Sequence, residues 1–194
     1  MYIAIEGIDT AGKSTQIAAL QKHFPQAVTT KEPGGTAIGK EIREMVLGAK
    51  TKSKRAEFLL FLADRAEHVK EVIEPNLNKM LISDRSAVSG VAYALIQEDI
   101  NTKELVYLND FATKKIYPTK IFLLRLTKEE LEFRLSQKKL DGIELRGSNY
   151  LLQIQENIKK ASKLLGLTLV EIDATKPINQ ITEEILNNIK RTIV

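Results

Sequence analysis

Five short apolar runs alternate with longer amphipathic stretches along the chain, and these runs predict the strands of a β-sheet. Lys120–Leu126 is the clearest of them, because its Ile-Phe-Leu-Leu centre is continuously apolar, as in strands that are buried on both faces. The other predicted strands are Tyr2–Ile5, Ala27–Thr30, Met80–Ser83 and Thr168–Ile172. Long segments between short strands are typical of a parallel sheet whose strands are joined by helices.

The segments between the runs carry apolar residues at helical spacing. The longest predicted helix begins at Ser53 or Lys54 and extends to Leu77. Thr127 and Glu130 form a capping box at the start of another, and Gly166 suits the position after a helix end. The remaining predicted helices are Lys13–His23, Thr36–Leu47, Ala87–Glu98, Thr102–Lys115, Thr127–Gln137, Ser148–Leu165 and Pro177–Ile193.

The pattern predicts one α/β domain over residues 1–194, with a five-stranded parallel sheet and helices on both faces. Ligands in such folds bind outside the carboxyl ends of the strands. The residues at these ends are Glu6-Gly7, Asp84-Arg85, Arg125 and Asp173. We therefore expect the functional site at this edge of the sheet.

Composition narrows the classes of function. The chain has no cysteine, which excludes disulfides and thiolate metal sites. Its net charge of +4 favours a site for phosphorylated ligands over a nucleic-acid surface, because no dense Lys/Arg run with interleaved aromatic residues occurs. No stretch reaches the ~20 apolar residues of a membrane span, and the start of the chain does not resemble a signal peptide. We expect a cytoplasmic protein without nucleic-acid or membrane partners.

One glycine-rich motif follows the first predicted strand and precedes the first predicted helix. It matches the pattern G-x-x-x-x-G-K-[ST] at every fixed position, and this context is the one that a phosphate-binding loop requires. Backbone amides of such a loop point at phosphate oxygens, Lys13 can reach the β- and γ-phosphates, and the Ser14 hydroxyl can ligate Mg²⁺. The predicted ATP-binding residues here are Gly7, Ile8, Asp9, Thr10, Ala11, Gly12, Lys13, Ser14 and Thr15.

Three further groups of residues near the strand ends are candidates for binding an acceptor. Asp84-Arg85 can hold magnesium-bound water and clamp a phosphate, or can be a structural ion pair. Phe61 and Arg65 share a helix face that suits a nucleobase, although Phe61 could equally belong to the core and Arg65 to the surface. Lys31–Thr36 contains one proline and two glycines, so it either approaches a ligand closely or forms an ordinary turn.

Taken in order, these motifs resemble the thymidylate kinase family over essentially the whole chain. Glu6–Thr15 resembles the family's phosphate loop, and Thr30–Thr36 resembles its T-R-E-P-G-G-T segment, with Lys31 in place of the usual Arg. The other matching segments are Leu59–Arg65 (L-L-F-x-A-x-R), Asp84–Tyr93 (D-R-[YH]-x-x-S-x-x-A-Y), Leu140–Glu144 (D-R-[IF]-E of the lid) and Asp173–Thr175 (the adenine-side loop).

The resemblance implies a three-layer P-loop NTPase fold with a short lid at about residues 134–149. It also implies that the chain transfers the γ-phosphoryl group of ATP to thymidine 5′-monophosphate (dTMP), with Mg²⁺ as cofactor. A homodimer formed through helices that include the long third one is implied as well.

The resemblance further implies roles for single residues. Phe61 stacks on thymine and Arg65 binds its O4, while Arg85 holds the acceptor phosphate, with Lys31 as a helper. Asp9 lies near the sugar 3′-hydroxyl and the transferred group. The other implied residues are Pro33, Ser89, Gly90 and Tyr93 around the acceptor, Asp84 as a support for magnesium, and Asp173, Ala174 and Thr175 beside adenine.

Two departures from the family pattern affect the charge around the transferred group. Some members place Arg directly after the acid of the phosphate loop, where this chain has Thr10, and members without that Arg supply positive charge from the lid. The lid arginine of D-R-[IF]-E is Gly142 here. The cations that the lid offers are Arg134, Lys138, Lys139 and Arg146, and we take Arg134 and Lys138 as catalytic candidates beside Lys13, Asp9 and Arg85.

Further departures concern the acceptor side, and other functions stay open. Ser86 and Gly90 replace more usual residues, so one polar contact to the base is missing from the pattern.

The chain could be a kinase of another nucleoside or monophosphate. A nucleotide-dependent switch is less favoured because no N-K-x-D guanine motif occurs, and an inactive interaction protein because the phosphate-loop and Asp84-Arg85 motifs are intact.

Overall fold

The structure is a computed structural model that describes residues 1–48, 50–96, 101–138 and 144–193. Its five strands form one parallel sheet in the order β2-β3-β1-β4-β5, which confirms the predicted sheet. The strands are β1 (Tyr2–Glu6), β2 (Val28–Lys31), β3 (Leu81–Asp84), β4 (Lys120–Arg125) and β5 (Leu169–Asp173). Four of them extend one residue beyond the predicted end and so include the polar residues Glu6, Lys31, Asp84 and Asp173.

Helices surround the sheet and complete the predicted α/β fold. In the described residues they are α1 (Lys13–His23), α2 (Ala37–Leu47), α3 (Lys54–His68), α4 (Ala87–Ala94), α5 (Thr102–Thr113), α6 (Lys128–Ser136), α7 (Ser148–Leu164) and α8 (Ile178–Ile193). Short 3₁₀ turns span Glu74–Asn76 and Glu144–Arg146. Since the described part of the chain contains no helix that is both long and apolar enough, none of these helices could cross a lipid bilayer.

The apolar strands form the centre of the core. Ile3 and Ile5 of β1 and Phe122 of β4 are fully buried, as expected for a central strand that is covered on both faces. α1 packs against α8, α4 against α7, and α3 against α2 and α5. These contacts bury the apolar faces that the helical periodicity predicted.

Strand register brings the carboxyl ends together at one edge. Ile5 of β1 is aligned with Asp84 of β3 and with Phe122 of β4, and Lys31 of β2 is aligned with Asp84. The loop after β1 therefore lies at the middle of this edge. β2 and β3 flank it on one side, and β4 and β5 flank it on the other.

Three helix ends differ from the predictions. The long helix continues beyond α3 as a π-helical turn at Val69–Ile73 and then as the 3₁₀ turn that contains Pro75, because proline lacks the amide that an α-helix needs there. α4 ends at Ala94, and residues 97 and 98 lie outside the described residues. α5 ends at Thr113, since Lys114 and Lys115 adopt positive φ angles of 50° and 61°.

Side chains begin several helices as the sequence indicates. Thr127 Oγ1 accepts a hydrogen bond from the amide of Glu130 at 3.3 Å, which confirms Thr127 as the cap of α6. The Glu130 carboxylate accepts from Arg134 Nε, so it also fixes a residue of the predicted lid. Gly166 follows α7 with φ 67°, as expected for a glycine after a helix end.

Candidate functional site

The loop between β1 and α1 has the backbone geometry of a phosphate-binding loop. Gly7 and Gly12 have φ angles of 152° and 91°, which side chains rarely adopt. A β-carbon on Gly7 would lie 2.9 Å from the carbonyl oxygen of Leu124, so only glycine fits there. α1 begins directly after Gly12, and its first amides, which have no intrahelical partner, adjoin the loop. The loop can therefore present backbone donors to an anion.

Lys13 is a buried cation in this loop. Its side chain is only 8% exposed, and Nζ donates to the carbonyl oxygen of Ile8 at 3.1 Å and lies 3.8 Å from Oδ1 of Asp9. Burial lowers the pKa of Lys13 to about 8, and the charge of Arg85 acts in the same direction. A phosphate bound in the loop would stabilise the charged amine.

Arg85 joins the end of β3 to the phosphate loop. Its Nη2 donates to Oδ1 of Asp9 at 2.8 Å, and its Nη1 donates to the carbonyl oxygen of Gly7 at 3.0 Å. Burial would raise the pKa of Asp9, but the charges of Arg85 and Lys13 outweigh it and hold that pKa below its usual value. Two cations therefore converge on one carboxylate at the carboxyl edge of the sheet.

Glu6, at the end of β1, is linked to Arg85 through a shared hydrogen-bond partner, Ser89. It is fully buried and accepts hydrogen bonds from the hydroxyls of Ser86 and Ser89. Burial raises the pKa of Glu6, although the two serines and Arg85 oppose that shift. Ser89 also accepts from Arg85 Nη1 at 3.2 Å. Ser86, which departs from the family pattern, thus has a defined contact with Glu6 in this chain.

A cavity of about 570 Å³ opens beside Arg85, a size that suits a small ligand. It brings together the predicted acceptor residues with one exception, Lys31. That side chain is exposed, and it is not among the described residues that line the cavity. The predicted residues that line it are Asp9, Pro33, Phe61, Arg65, Arg85, Ser89, Gly90 and Tyr93.

Arg65 lies in the wall of this cavity and is almost completely buried, at 2% exposure. The alternative that it belongs to the surface is therefore wrong. Its Nε donates to Glu32 at 3.0 Å and its Nη1 donates to Asn109 at 2.7 Å. Burial would raise the pKa of Glu32, but Arg65 and His68 lower it below its usual value. The cavity wall thus contains a buried guanidinium–carboxylate pair.

The segment Lys31–Thr36 is shaped to fit the same wall. The amide of Gly34 donates to Oδ1 of Asp64 at 2.9 Å, and a β-carbon on Gly35 would lie 2.6 Å from the ring of His68. Arg43 donates to the carbonyl oxygen of Pro33 at 3.1 Å. Burial raises the pKa of Asp64 to about 6 despite the bond from Gly34. Gly35 therefore lets the segment approach α3 closely and Gly34 supplies a φ of 98°, which an ordinary surface turn does not require.

Asp84 provides the observation that tests the predicted metal site. Its Oδ1 is buried and has no hydrogen-bond partner among the described residues. Ser14, at the first turn of α1, is exposed. A carboxylate oxygen and a hydroxyl are ligands that suit Mg²⁺, directly or through water. The residues present therefore fit that ion, although the described residues contain no cluster of three or more His, Cys, Asp or Glu that would hold a metal alone.

Arg134, at the end of α6, connects the phosphate loop to the loop after β5. Its Nη1 donates to the carbonyl oxygen of Thr10 at 3.0 Å, and its Nη2 donates to that of Ala174 at 2.8 Å. Thr10 has a φ of 68°, which is unusual for a β-branched residue, and its buried Oγ1 has no partner among the described residues. Arg134 thus fixes the most strained backbone of the phosphate loop.

The other predicted lid residues are placed only in part. Lys138 Nζ lies 2.7 Å from the buried carboxylate of Glu144. Arg146 donates to the Tyr150 hydroxyl at 2.9 Å, and both residues line the acceptor cavity. Residues 139–143 of the lid, which include Lys139, Asp141 and Gly142, lie outside the described residues.

The loop after β5 holds the three residues that were predicted beside adenine. Oδ1 of Asp173 accepts from the amide of Thr175 at 3.0 Å and from its hydroxyl at 2.7 Å. Ala174 is buried, whereas Asp173 and Thr175 are exposed. Arg125, which also ends a strand, instead pairs with Glu171 at 2.8 Å. Of these two strand ends, the one after β5 is connected to the phosphate loop through Arg134, which donates to both Thr10 and Ala174.

The family model described as thymidylate kinase matches residues 5–185, which contain the phosphate loop, the acceptor cavity and the predicted lid. This chain belongs to the thymidylate kinase family. It is 73% identical over 189 residues to a thymidylate kinase of Sulfurimonas denitrificans, a match that covers 97% of this chain and 99% of the relative. A thymidylate kinase of Aliarcobacter butzleri is 56% identical over 185 residues, which cover 95% of this chain and 96% of the relative.

A solved structure supports the fold. The crystal structure of thymidylate kinase from Ehrlichia chaffeensis superposes with a TM-score of 0.75 and covers 98% of each chain, at 24% sequence identity. The predicted resemblance to the thymidylate kinase family and the predicted P-loop kinase fold are both confirmed.

Sequence reasoning missed several residues that the thymidylate kinase fold brings to the site. Glu32 and Asp64 lie inside motifs that were recognised, so their positions were a usable signal. Glu6 begins the segment that resembles the phosphate loop, although no role was predicted for it, and His68 lies three residues after the motif that ends at Arg65. Asn109 lies on α5, outside every motif, and only the folded chain shows that it contacts Arg65.

Proposed function

We propose that this chain transfers the γ-phosphoryl group of ATP to dTMP and produces thymidine diphosphate and ADP. Membership of the thymidylate kinase family supports this proposal. The observation that carries it is the convergence of Lys13 and Arg85 on Asp9, at 3.8 Å and 2.8 Å. One cation belongs to the donor loop and the other lines the acceptor cavity, so two phosphate groups bound there would meet end to end.

The reaction needs positioning and charge neutralisation more than acid–base chemistry. Both substrates are anions, and their approach is favoured when fixed cations replace water around the reacting oxygens. Lys13 would bind the β- and γ-phosphates, and Arg85 would bind the acceptor phosphate. Asp9 would hold both cations in place and contact the acceptor sugar. An acceptor phosphate oxygen is already ionised, so no general base is required.

Mg²⁺ is part of the proposal as a cofactor that ATP brings to the site. Ser14 and Asp84 would hold it, directly or through water, and the unpartnered buried oxygen of Asp84 supports this assignment. When bound, Mg²⁺ neutralises charge on the phosphates.

The far end of the acceptor cavity would bind the base. Phe61 is half-buried and offers a ring for stacking, and Arg65 offers donors for a base carbonyl. Tyr93 also lines the cavity, and we propose that it restricts the sugar to deoxyribose. Burial raises the pKa of Tyr93 to about 12, so its hydroxyl stays neutral during the reaction.

The donor side would be completed by the segment at about residues 134–149, which we propose acts as a lid over ATP. Asp173, Ala174 and Thr175 would border adenine. Arg134 and Lys138 remain the candidates for a lid cation near the transferred group. Arg134 donates to two backbone carbonyl groups and Lys138 pairs with the buried Glu144 at 2.7 Å, so either cation would have to release a partner to contact the transferred group.

We also propose that the protein is a cytoplasmic homodimer. Leu59, Tyr107 and Phe111 are 56%, 70% and 78% exposed. They lie on α3 and α5, which pack against each other. Large apolar side chains that are exposed on adjacent helices are typical of a contact between subunits. A cytoplasmic location agrees with the absence of cysteine from the sequence.

A coupled assay of ADP release tests the main proposal. Purified protein with ATP and Mg²⁺ is expected to turn over dTMP faster than dUMP, dCMP or AMP. Lys13→Ala should abolish turnover with every acceptor, while Arg85→Ala should weaken dTMP binding and leave ATP binding intact. Activity on AMP without activity on dTMP would overturn the acceptor, and retention of neither nucleotide by the wild-type chain would overturn the whole proposal.

A further inference from the structure

The guanidinium of Arg65 is held from two different parts of the chain. Glu32, just after β2, accepts from Nε at 3.0 Å, and Asn109 of α5 accepts from Nη1 at 2.7 Å. All three side chains are buried, at 2%, 6% and 0% exposure for Arg65, Glu32 and Asn109. Two bonds to different donor atoms of a planar group fix both its position and its rotation.

The third nitrogen of that guanidinium faces Gly90. A β-carbon at Gly90 would lie 2.5 Å from Nη2 of Arg65, so the group fills the space that a side chain would take. Arg65 and Gly90 both line the acceptor cavity. Nη2 makes no hydrogen bond within the part of the chain that the structure describes, and so it is the nitrogen with donors left for a ligand.

Asn109 is itself fixed in one orientation. Its Nδ2 donates to the carbonyl oxygen of Leu105 at 2.7 Å, one helical turn earlier. That bond assigns the amide nitrogen to Leu105 and leaves Oδ1 as the acceptor for Arg65. On the other side, Glu32 is held by Nδ1 of His68 at 3.0 Å, and Nε2 of His68 contacts Thr30 Oγ1 at 2.6 Å. The two supports of Arg65 are therefore rigid.

We propose that Asn109 is a positioning residue for base recognition, which acts by orienting Arg65 so that Nη2 donates to the base carbonyl opposite the sugar. This inference rests on the proposed function, in which Arg65 reads the base. A base with a carbonyl at that position accepts such a bond, whereas cytosine presents an amino group there and leaves the buried donors unpaired. Asn109 thereby contributes to the preference for thymidylate over cytidylate without touching either one.

The decisive variants separate the acceptor function of Asn109 from its structural role. In Asn109→Ser the hydroxyl can still bond the carbonyl oxygen of Leu105, as serines in helices commonly do, but it is too short to reach Arg65. Asn109→Asp keeps an oxygen that can accept from Arg65 but loses the donor to Leu105, so it tests the acceptor function by itself. Thr113→Val is the matched control. It removes a buried polar group from the same helix, and that hydroxyl donates to the backbone carbonyl of Asn109 and does not contact Arg65.

The readouts are kcat and KM for dTMP and dCMP, KM for ATP, and the thermal midpoint of unfolding for each full-length variant. Asn109→Ser is expected to raise KM for dTMP about tenfold and to narrow the ratio of kcat/KM between dTMP and dCMP by a similar factor. KM for ATP should not change. Asn109→Asp and Thr113→Val should keep the base preference of the wild type. An unchanged preference in Asn109→Ser, or the same loss in Thr113→Val, would overturn the inference.

Arg65→Ala and the double variant distinguish this inference from the proposed function. If Arg65→Ala leaves base preference unchanged, the base assignment itself fails. If Arg65→Ala removes the preference, Arg65→Ala with Asn109→Ser should lose no more than Arg65→Ala alone, because Asn109 then has nothing to orient. Additive losses would show that Asn109 acts independently of Arg65. Should Asn109→Ser not fold, Asn109→Leu, which keeps the volume and lacks the acceptor, carries the same expectations.

Discussion

Gly90 and Arg65 are neighbours in the wall of the acceptor cavity, and a β-carbon on Gly90 would lie only 2.5 Å from Nη2 of Arg65. Gly90→Ala should therefore push the guanidinium out of its position between Glu32 and Asn109. We expect KM for dTMP to rise at least about tenfold, since a hydrogen bond to a charged group contributes about 1.5–3 kcal/mol. Steady-state kinetics with dTMP and ATP measure this change.

Stability provides the control for that substitution. Gly90 lies in α4, where alanine favours the helix by about 1 kcal/mol over glycine. This gain offsets only part of the cost of displacing Arg65 from the buried Glu32, so the thermal midpoint should fall. Kinetics measured well below that midpoint, with KM for ATP unchanged, show that weak dTMP binding is not due to unfolding. A variant that binds dTMP like the wild type would show that Arg65 does not need this space.

The pKa of Lys13 predicts how ATP binding depends on pH. With a pKa of about 8, the amine is mostly charged at pH 7 and mostly neutral at pH 9. Bound phosphate favours the charged form and raises the pKa in the complex, so affinity should be lost as the pH rises above 8. Calorimetric Kd values for ATP without acceptor should increase up to about tenfold per pH unit there. Lys13→Arg does not titrate in this range, so its Kd for ATP should depend less on pH. Equal pH profiles for the two proteins would show that Lys13 is not the group responsible.

Asp84→Asn should change the magnesium requirement. The substitution removes the charge of a buried oxygen that has no partner in the described residues, and it keeps the volume. We expect the Mg²⁺ concentration for half-maximal activity to rise about tenfold, as commonly follows loss of a group that supports a metal. The unfolding midpoint should fall only slightly, because the substitution removes the attraction of this carboxylate for Lys13 and Arg85 but breaks no hydrogen bond of its Oδ1. Asp173→Asn, at the end of another strand, is the control and should leave the requirement unchanged.

Arg134→Lys should affect the donor and not the acceptor. Lysine keeps the charge but lacks the planar fork in which one nitrogen of Arg134 bonds Thr10 at 3.0 Å and another bonds Ala174 at 2.8 Å, so it cannot reproduce this geometry. We expect KM for ATP to rise about tenfold, which corresponds to about 1.4 kcal/mol, with KM for dTMP unchanged. Lys128→Met, on the same helix, should have no such effect. If only KM for dTMP changed, Arg134 would act on the acceptor side, and its assignment to the ATP side would be wrong.

The proposed homodimer predicts a specific effect of charge on α5. Phe111→Glu introduces a carboxylate into the exposed apolar surface formed by Leu59, Tyr107 and Phe111, so it should disfavour association by leaving that charge unpaired. Light scattering after gel filtration should show a dimer for the wild type and a monomer for Phe111→Glu. Phe133→Glu removes a 62% exposed aromatic ring from α6 and should remain dimeric. A monomeric wild type would end this proposal.

Much of the architecture could be predicted from local patterns. The five strands follow from short apolar runs, and the helix starts follow from residues such as Thr127, whose capping bond acts within one turn. The phosphate loop could be predicted because its geometry depends on glycines at fixed spacing, as Gly7 shows. Local rules placed the end of the long helix less well, since Pro75 changes the type of helix without ending the segment.

The network around Arg65 could not be predicted in the same way. Asn109 is 44 residues away in the chain, and nothing in the sequence near it signals a buried arginine. Similarly, Lys31 was expected at the acceptor, but the alternation of β2 leaves its side chain exposed while Glu32 turns inward. Contacts between distant segments depend on register and packing, which periodicity alone does not determine.

The order of the strands separates the two substrates. Apart from Asp9 in the phosphate loop, the residues proposed to bind the acceptor follow β2 and β3 or lie on α3 and α4, whereas the loop proposed to border adenine follows β5, on the other side of β1. A mutation that alters acceptor choice therefore need not disturb the adenine end. An enzyme with a new acceptor could arise from changes along one margin of the sheet, while the use of ATP is inherited unchanged from the other.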